Sequence, residues 1–189
     1  MEKNLQILDA ARKLFSQFGL KKVSIDDIVR EARISKATIY RHYRNKQEIY
    51  NEVVSYEADQ LMTAITVAVD REKTVRGKLQ AHLLTKIGKL RELVNLYRLT
   101  SEVWSEHWPD GSNTQQRLLS KEREMVIRIL KLGNMTGELH AERPELTAHI
   151  LVLALKSLEN PWAVDDYDVS LSELVDHMLE ILLNGIGKS

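Results

Sequence analysis

The sequence predicts an all-α fold of about nine helices, with a three-helix head at the N-terminus and a larger helical body behind it. Three observations carry this. Apolar residues recur at helical spacing in nearly every segment, and no stretch alternates as a half-buried strand would. Successive segments open on Ser, Thr or Asn, several of them in the capping-box pattern. All three prolines fall where a helix starts or a loop runs, at positions 109, 144 and 161.

Taken in order, the first helix carries the stripe Ile7, Leu8, Ala11, Leu14, Phe15 and Phe18, and Gly19 is expected just past its end. Ser24 caps a short second helix, with Asp27 at the third position of a capping box and Ile25, Ile28, Val29 and Ala32 on one face. After a break of three residues (Arg33, Ile34, Ser35), Ser35 caps a third helix. Asn45 followed by Glu48 opens a long helix from about 46 to 70. Further helices are expected near 74–91, 94–107, 114–134, 144–159 and 171–186. Their marks are Thr74 as a cap, a breaker cluster from Pro109 to Asn113, Pro144 in a first turn, and a Ser170–Glu173 capping box. Loops are expected over 135–142 and 160–169. The domain division expected is 1–46 for the head and 47–189 for the body.

The chain is long enough to bury a sizeable core, with 43% apolar residues in 189 and no low-complexity tract. Cysteine is absent, which removes disulfides and thiolate chemistry. The N-terminal segment is an amphipathic helix with charges throughout rather than a signal peptide. The longest apolar run, Ile150 to Leu155, is far too short to cross a bilayer. A cytoplasmic protein with no membrane partner is expected.

Catalytic and metal patterns are missing. There is no nucleophile elbow, P-loop or dinucleotide fingerprint, and the pairs Asp26-Asp27 and Asp165-Asp166 read as capping or loop residues. The six histidines (42, 82, 107, 140, 149 and 177) are scattered without ligand spacing. No enzyme, metal or cofactor is expected.

Charge is unevenly placed. Lys and Arg balance Asp and Glu at 27 each, yet residues 1–50 hold eleven basic and six acidic side chains. Residues 1–50 are therefore +5 and the rest −5, a segregation that suits a polyanionic partner. The concentration is sharpest in ISKATIYRHYRNK, Ile34 to Lys46, which has no acidic residue. Two short helices joined by a three-residue turn and packed on a preceding amphipathic helix make a helix-turn-helix. In that motif the second helix enters the major groove of double-stranded DNA, its N-terminal residues facing base edges. Here Lys36, Ala37 and Tyr40 share the exposed face. Thr38, Arg41, His42 and Lys46 supply donors for flanking phosphates, while Ile39 and Tyr43 face the core. Ser24 and Ser35, the caps of the two helices, complete the DNA-binding set.

The segment ILDAARKLFSQFGLKKVSIDDIVREARISKATIYRHYRNKQEIY, Ile7 to Tyr50, resembles the DNA-binding head of the tetracycline-repressor (TetR) family. The matching elements are AA-x-x-LF-x-x-x-G, S-I-x-x-I-V and S-K-x-T-I-Y-x-H-Y-x-x-K, in order and without gaps, over about a quarter of the chain. The resemblance implies a homodimeric transcriptional regulator whose helical body binds a small molecule, with release from a palindromic operator. It places Lys36, Ala37 and Tyr40 at base-contacting positions and Thr38, Arg41, His42 and Lys46 among the phosphate contacts. Two positions depart from the pattern, Arg33 and Ala37, where the family often has Gly. The alternatives are a DNA-binding factor without an effector, and a helical enzyme or scaffold that keeps the head.

For the body, the residues expected around an apolar or aromatic effector are Tyr97, Trp104, Trp108, Met125 and Trp162, with His82, Glu102 and His107 as polar members. The last two helices are apolar nearly all round, which suits burial on two sides. Ile150, Ala154, Leu158, Met178, Ile181 and Leu183 are the expected dimer contacts, in a four-helix bundle formed by two subunits.

Overall fold

The computed structural model describes residues 2–101, 111–156 and 170–186. All the regular structure in them is helical: α1 (Glu2–Lys22), α2 (Ile25–Ala32), α3 (Lys36–His42), α4 (Lys46–Arg71), α5 (Val75–Glu92), α6 (Val94–Ser101), α7 (Gly111–Thr136), α8 (Pro144–Lys156) and α9 (Leu171–Ile186). The expected caps are in place. Ser24 and Asp27 form a full capping box, Gly77 N donates to Thr74 Oγ at 3.0 Å, and Glu48 N donates to Asn45 Oδ1 at 2.9 Å. Glu173 N donates to Ser170 Oγ, and the Ser170 hydroxyl, then Ser170 N, donate to Glu173 Oε2, holding that carboxyl below its ordinary range.

Gly19, expected just past the end of the first helix, interrupts it there: at φ 75° and ψ 160° it is non-helical, and a short further stretch runs on to Lys22. Two boundaries differ from expectation. Gly111, Ser112 and Asn113 open α7 instead of breaking the chain. The expected loop over 135–142 begins later, after Thr136, and its residue Glu138 accepts from Val75 N at 2.8 Å at the head of α5.

The chain forms two compact units: Met1–Asp59 with Leu93–Gln115, and Gln60–Glu92 with Gln116–Ser189. The first thus takes in segments beyond 1–46. Its core is Ile7, Ala11 and Phe15 of α1, Ile28 of α2, Ile39 of α3, Ile49 and Val53 of α4, and Leu96 of α6, with Phe15 edge-on to Tyr50 at 5.2 Å. A buried polar knot ties this unit together. Glu57 accepts from Leu96 N and from Asn95 Nδ2, both at 2.8 Å, at the start of α6. Asn95 Nδ2 also donates to Arg12 O at 3.2 Å, and Tyr50 OH donates to Asn95 O at 3.3 Å. A carboxylate beside free N–H groups at a helix N-terminus is stabilised by them and by the helix dipole.

The second unit packs Leu61 and Ile65 of α4, Leu83 and Ile87 of α5, Val126 and Leu130 of α7, Leu151 of α8 and Val175 of α9. Inside it lies an ion pair, Lys86 Nζ to Glu122 Oε2 at 2.7 Å, with side chains 3% and 1% exposed. His82 is equally deep, and burial, then the Lys86 charge, pushes its pKa down to about 3.

Two predictions follow from these elements. Arg33, the C-cap of α2, sits in the left-handed region at φ 52°, which a side chain resists and glycine does not. Arg33→Gly should therefore raise stability by about 0.5–1 kcal/mol in chemical unfolding. The His82 imidazole stays neutral in the folded chain but takes a proton once unfolded at pH below 6.5. Its contribution is fully present above pH 6.5 and is lost as pH falls toward 3, with a slope approaching about 1.4 kcal/mol per pH unit. Unfolding curves between pH 6 and 5 should show that slope in the wild type and lack it in His82→Leu.

Candidate nucleic-acid interface

The helix α3 is seven residues long, too short to persist without neighbours, and both its ends are pinned. At the start, Ser35 Oγ accepts from Thr38 N at 3.2 Å and lies 2.9 Å from Thr38 Oγ1. At the end, Tyr43 N donates to Ile39 O at 2.9 Å. Ile39 is fully buried, and Tyr43 is buried with its hydroxyl donating to Asn4 Oδ1 at 2.6 Å. Asn4 in turn donates to Glu52 at 3.1 Å, so α1 and α4 grip the same tyrosine. Burial raises the Tyr43 phenol's pKa above the ordinary tyrosine range, so it stays a neutral donor.

With Ile39 and Tyr43 turned inward, Lys36, Ala37, Tyr40, Arg41 and His42 lie exposed, and Thr38 is half-buried. Tyr40, at 51% exposure, is an aromatic ring left to solvent in the middle of a basic helix. No acidic residue belongs to α3. The nearest carboxylate comes from α2: Asp26 Oδ1 lies 2.8 Å from Lys36 Nζ, a hydrogen bond that raises the lysine's pKa. Capping had been expected of Asp26 and Asp27 together. Asp27 does it alone, and Asp26 holds Lys36 instead. The spacing Asp26 to Lys36 gave no sign of this, since it depends on the turn between α2 and α3.

The remaining members of the predicted set have local partners. Ser24 Oγ donates to Asp27 Oδ2 at 2.6 Å and accepts from Asp27 N. Lys46, half-buried in the first turn of α4, donates to Leu20 O at 2.7 Å and Val23 O at 2.6 Å. Its ammonium clasps the α1–α2 junction, which sequence spacing did not reveal, and an ammonium has one further N–H to give.

The predicted effector residues are only partly described. His82 and Met125 are buried in the second unit, and Tyr97 is half-buried in the first. Glu102, Trp104, His107, Trp108 and Trp162 lie outside the described residues. Of the predicted dimer contacts, Ile150 and Ile181 are 56% and 62% exposed, Ala154 is exposed, Met178 and Leu183 are half-buried, and Leu158 lies outside the described residues. Leu146 and Leu153, at 41% and 50%, extend the apolar surface of α8. Among the described residues no three His, Asp or Glu side chains converge as metal ligands would, and no helix is long and apolar enough to cross a membrane.

A short basic helix, pinned at both ends on a three-helix scaffold and bare on its outer face, defines a helix-turn-helix regulator. Comparison with known proteins specifies which kind. The family model for bacterial regulatory proteins of the tetR family matches residues 7–53. The HTH-type transcriptional activator FasR of Mycolicibacterium smegmatis is 30% identical over 185 residues, covering 98% of this chain and 83% of that one. Among solved structures, the transcriptional regulator FadR from Bacillus subtilis in complex with stearoyl-CoA matches with a TM-score of 0.74 at 21% identity, over 96% of this chain and 98% of that one. A tetR-family regulator from Mesorhizobium loti matches with a TM-score of 0.77 at 21% identity, over 99% and 98%. The chain belongs to the tetR family and is a transcriptional regulator.

Lys36 and Lys46 should separate in experiment. Lys36→Ala is expected to leave the melting temperature unchanged and to weaken binding to a selected DNA site by about 1–3 kcal/mol. Lys46→Met should lower stability as well, by about 1–3 kcal/mol, because two carbonyls lose a charged donor. Thermal unfolding beside anisotropy titrations on the same duplex distinguishes the two.

Proposed function

We propose that this regulator is a homodimeric repressor, released from a palindromic operator by a small, largely apolar molecule. The observation that carries it is the outward face of α3. Lys36, Ala37 and Tyr40 read base edges, and Thr38, Arg41 and His42, with Ser24, Ser35 and Lys46, hold the phosphates on either side. A reading helix of two turns covers one half-site, so two copies, about 34–36 Å apart, are needed for a full operator. The apolar surface of α8 and α9 supports that pairing, since Ile150 and Ile181 face solvent in a single chain. The stearoyl-CoA in the Bacillus subtilis relative's structure supports an effector with a long apolar part. No catalytic role is assigned. The helix α4, whose residues divide between the two units, is the covalent route by which a ligand in the body alters the head.

Repression is the sign proposed, because a dimer seated on a promoter excludes polymerase. In vitro transcription from the promoter of its own gene should fall on adding the protein. A rise would instead make it an activator, as the Mycolicibacterium smegmatis relative is named. Dimerisation has its own test. Ile181→Glu should give a folded monomer by light scattering and lose most operator affinity, because the charge would be buried without a partner at the interface. A wild-type monomer at micromolar concentration would overturn the dimer and the palindrome with it.

A further inference from the structure

The interior of the second unit contains a polar atom with nothing to bond. His82, on α5, is 1% exposed, and its Nε2 has no hydrogen-bond partner among the described residues. Such an orphan lowers stability, and an apolar side chain in its place would avoid the cost. Nor is the imidazole there for its charge, since burial keeps it neutral. A structural role leaves the bare nitrogen unexplained.

The surroundings point to what it awaits. His82 borders a small cavity whose other described walls are apolar, among them Leu79 of α5, Val126 of α7, Leu151 and Leu155 of α8, and Met178 and Leu182 of α9. The cavity measures about 10 Å³, no more than a single water requires. A water there would find Nε2 and otherwise only hydrocarbon, short of the two to four partners that hold internal water. The walls on the α9 side can yield: Met178 and Leu182 are only half-buried, and the unbranched thioether of Met178 repacks readily.

We propose that His82 is the hydrogen-bonding anchor of an effector site beneath α8 and α9, and that its ligand is an uncharged, mainly apolar molecule bearing a hydroxyl. This rests on the ligand-responsive reading above and goes beyond it in naming the site and the ligand's chemistry. The ligand is uncharged because the other described walls of the cavity are hydrocarbon, and a charge taken from water into them would go uncompensated. The hydroxyl follows from the imidazole itself. A neutral ring presents Nε2 either as donor or as acceptor, and a hydroxyl answers both. Entry requires α9 to move outward, and α9 also carries the exposed Ile181, so the ligand acts on the surface proposed for pairing.

The test uses the full chain, uniformly labelled in its histidines with nitrogen-15, and three probes below their micelle concentrations: 1-decanol, decanoate and decylammonium. Decanol should shift the Nε2 resonance assigned to His82 by its absence from the His82→Leu spectrum. At saturation it should also raise the melting temperature by about 5 °C or more. The two charged probes should do neither. His82→Leu should melt higher than wild type when free and lose the decanol response, whereas His82→Gln, which keeps a hydrogen-bonding end, should retain part of it. The proposal is overturned if decanol leaves the His82 resonance unmoved, if it stabilises His82→Leu as much as wild type, or if only a charged probe binds. A gel shift on operator DNA separates this from the broader reading. DNA binding with an unmoved His82 removes only the site, and a shifted His82 with unaltered DNA binding keeps the site and removes ligand control.

Discussion

Everything in the first unit answers one constraint, that a seven-residue helix cannot stand alone. Two turns make only a few internal hydrogen bonds and do not repay the cost of nucleation. The missing stability comes from Ile39 and Tyr43, which convert α3 from an independent helix into a ledge on α1 and α4. The same logic extends inward. Asn95 and Glu57 bind α6 to α4 and to the Arg12 carbonyl of α1, so the scaffold under α3 is itself cross-linked by buried hydrogen bonds. One atom of this network, Asn95 Oδ1, is left without a partner among the described residues, and the rest are bonded. A reading helix gains most from a rigid base, since its side chains must meet base edges without further adjustment.

The free head is less positive locally than its composition suggests. Lys13 is held by Glu31 at 2.6 Å, Lys36 by Asp26, and Arg30 by Asp27. All three pairs are largely exposed and contribute little to stability. What they do is answer each cation locally with a carboxylate. Among the described residues no carboxylate pairs with Tyr40, Arg41 or His42, which lie beyond Lys36 along α3. Attraction and restraint therefore sit on different turns of the same helix.

Most of the fold was legible because helices announce themselves locally. The boundaries of α2, α3, α4 and α9 are set by Ser24, Ser35, Asn45 and Ser170, each a residue whose side chain replaces a missing backbone partner within three residues. Gly19 was legible as a break, its positive φ being a conformation that glycine adopts without cost. The outward face of α3 was legible for the same reason as its caps, being a matter of helical spacing. Asp26 on Lys36, Lys46 on the Leu20 and Val23 carbonyls, and Glu57 on α6 were not, since each joins residues that only the tertiary fold brings together.

Both units keep buried polar atoms without partners among the described residues. In the first these are Asn95 Oδ1 and Gln115 Nε2; in the second they are His82 Nε2 and Glu122 Oε1. The two buried carboxylates nonetheless differ. Glu57 has both oxygens bonded, to Asn95 Nδ2 and Leu96 N, whereas Glu122 answers Lys86 with one oxygen and leaves the other bare. The cost of taking a charge from water is offset only when its remaining lone pairs are also met. The carboxylate under α6 meets that condition. The one paired with Lys86 does not, and that unmade bond, with the one at His82 Nε2, is a deficit of the kind a ligand can fill.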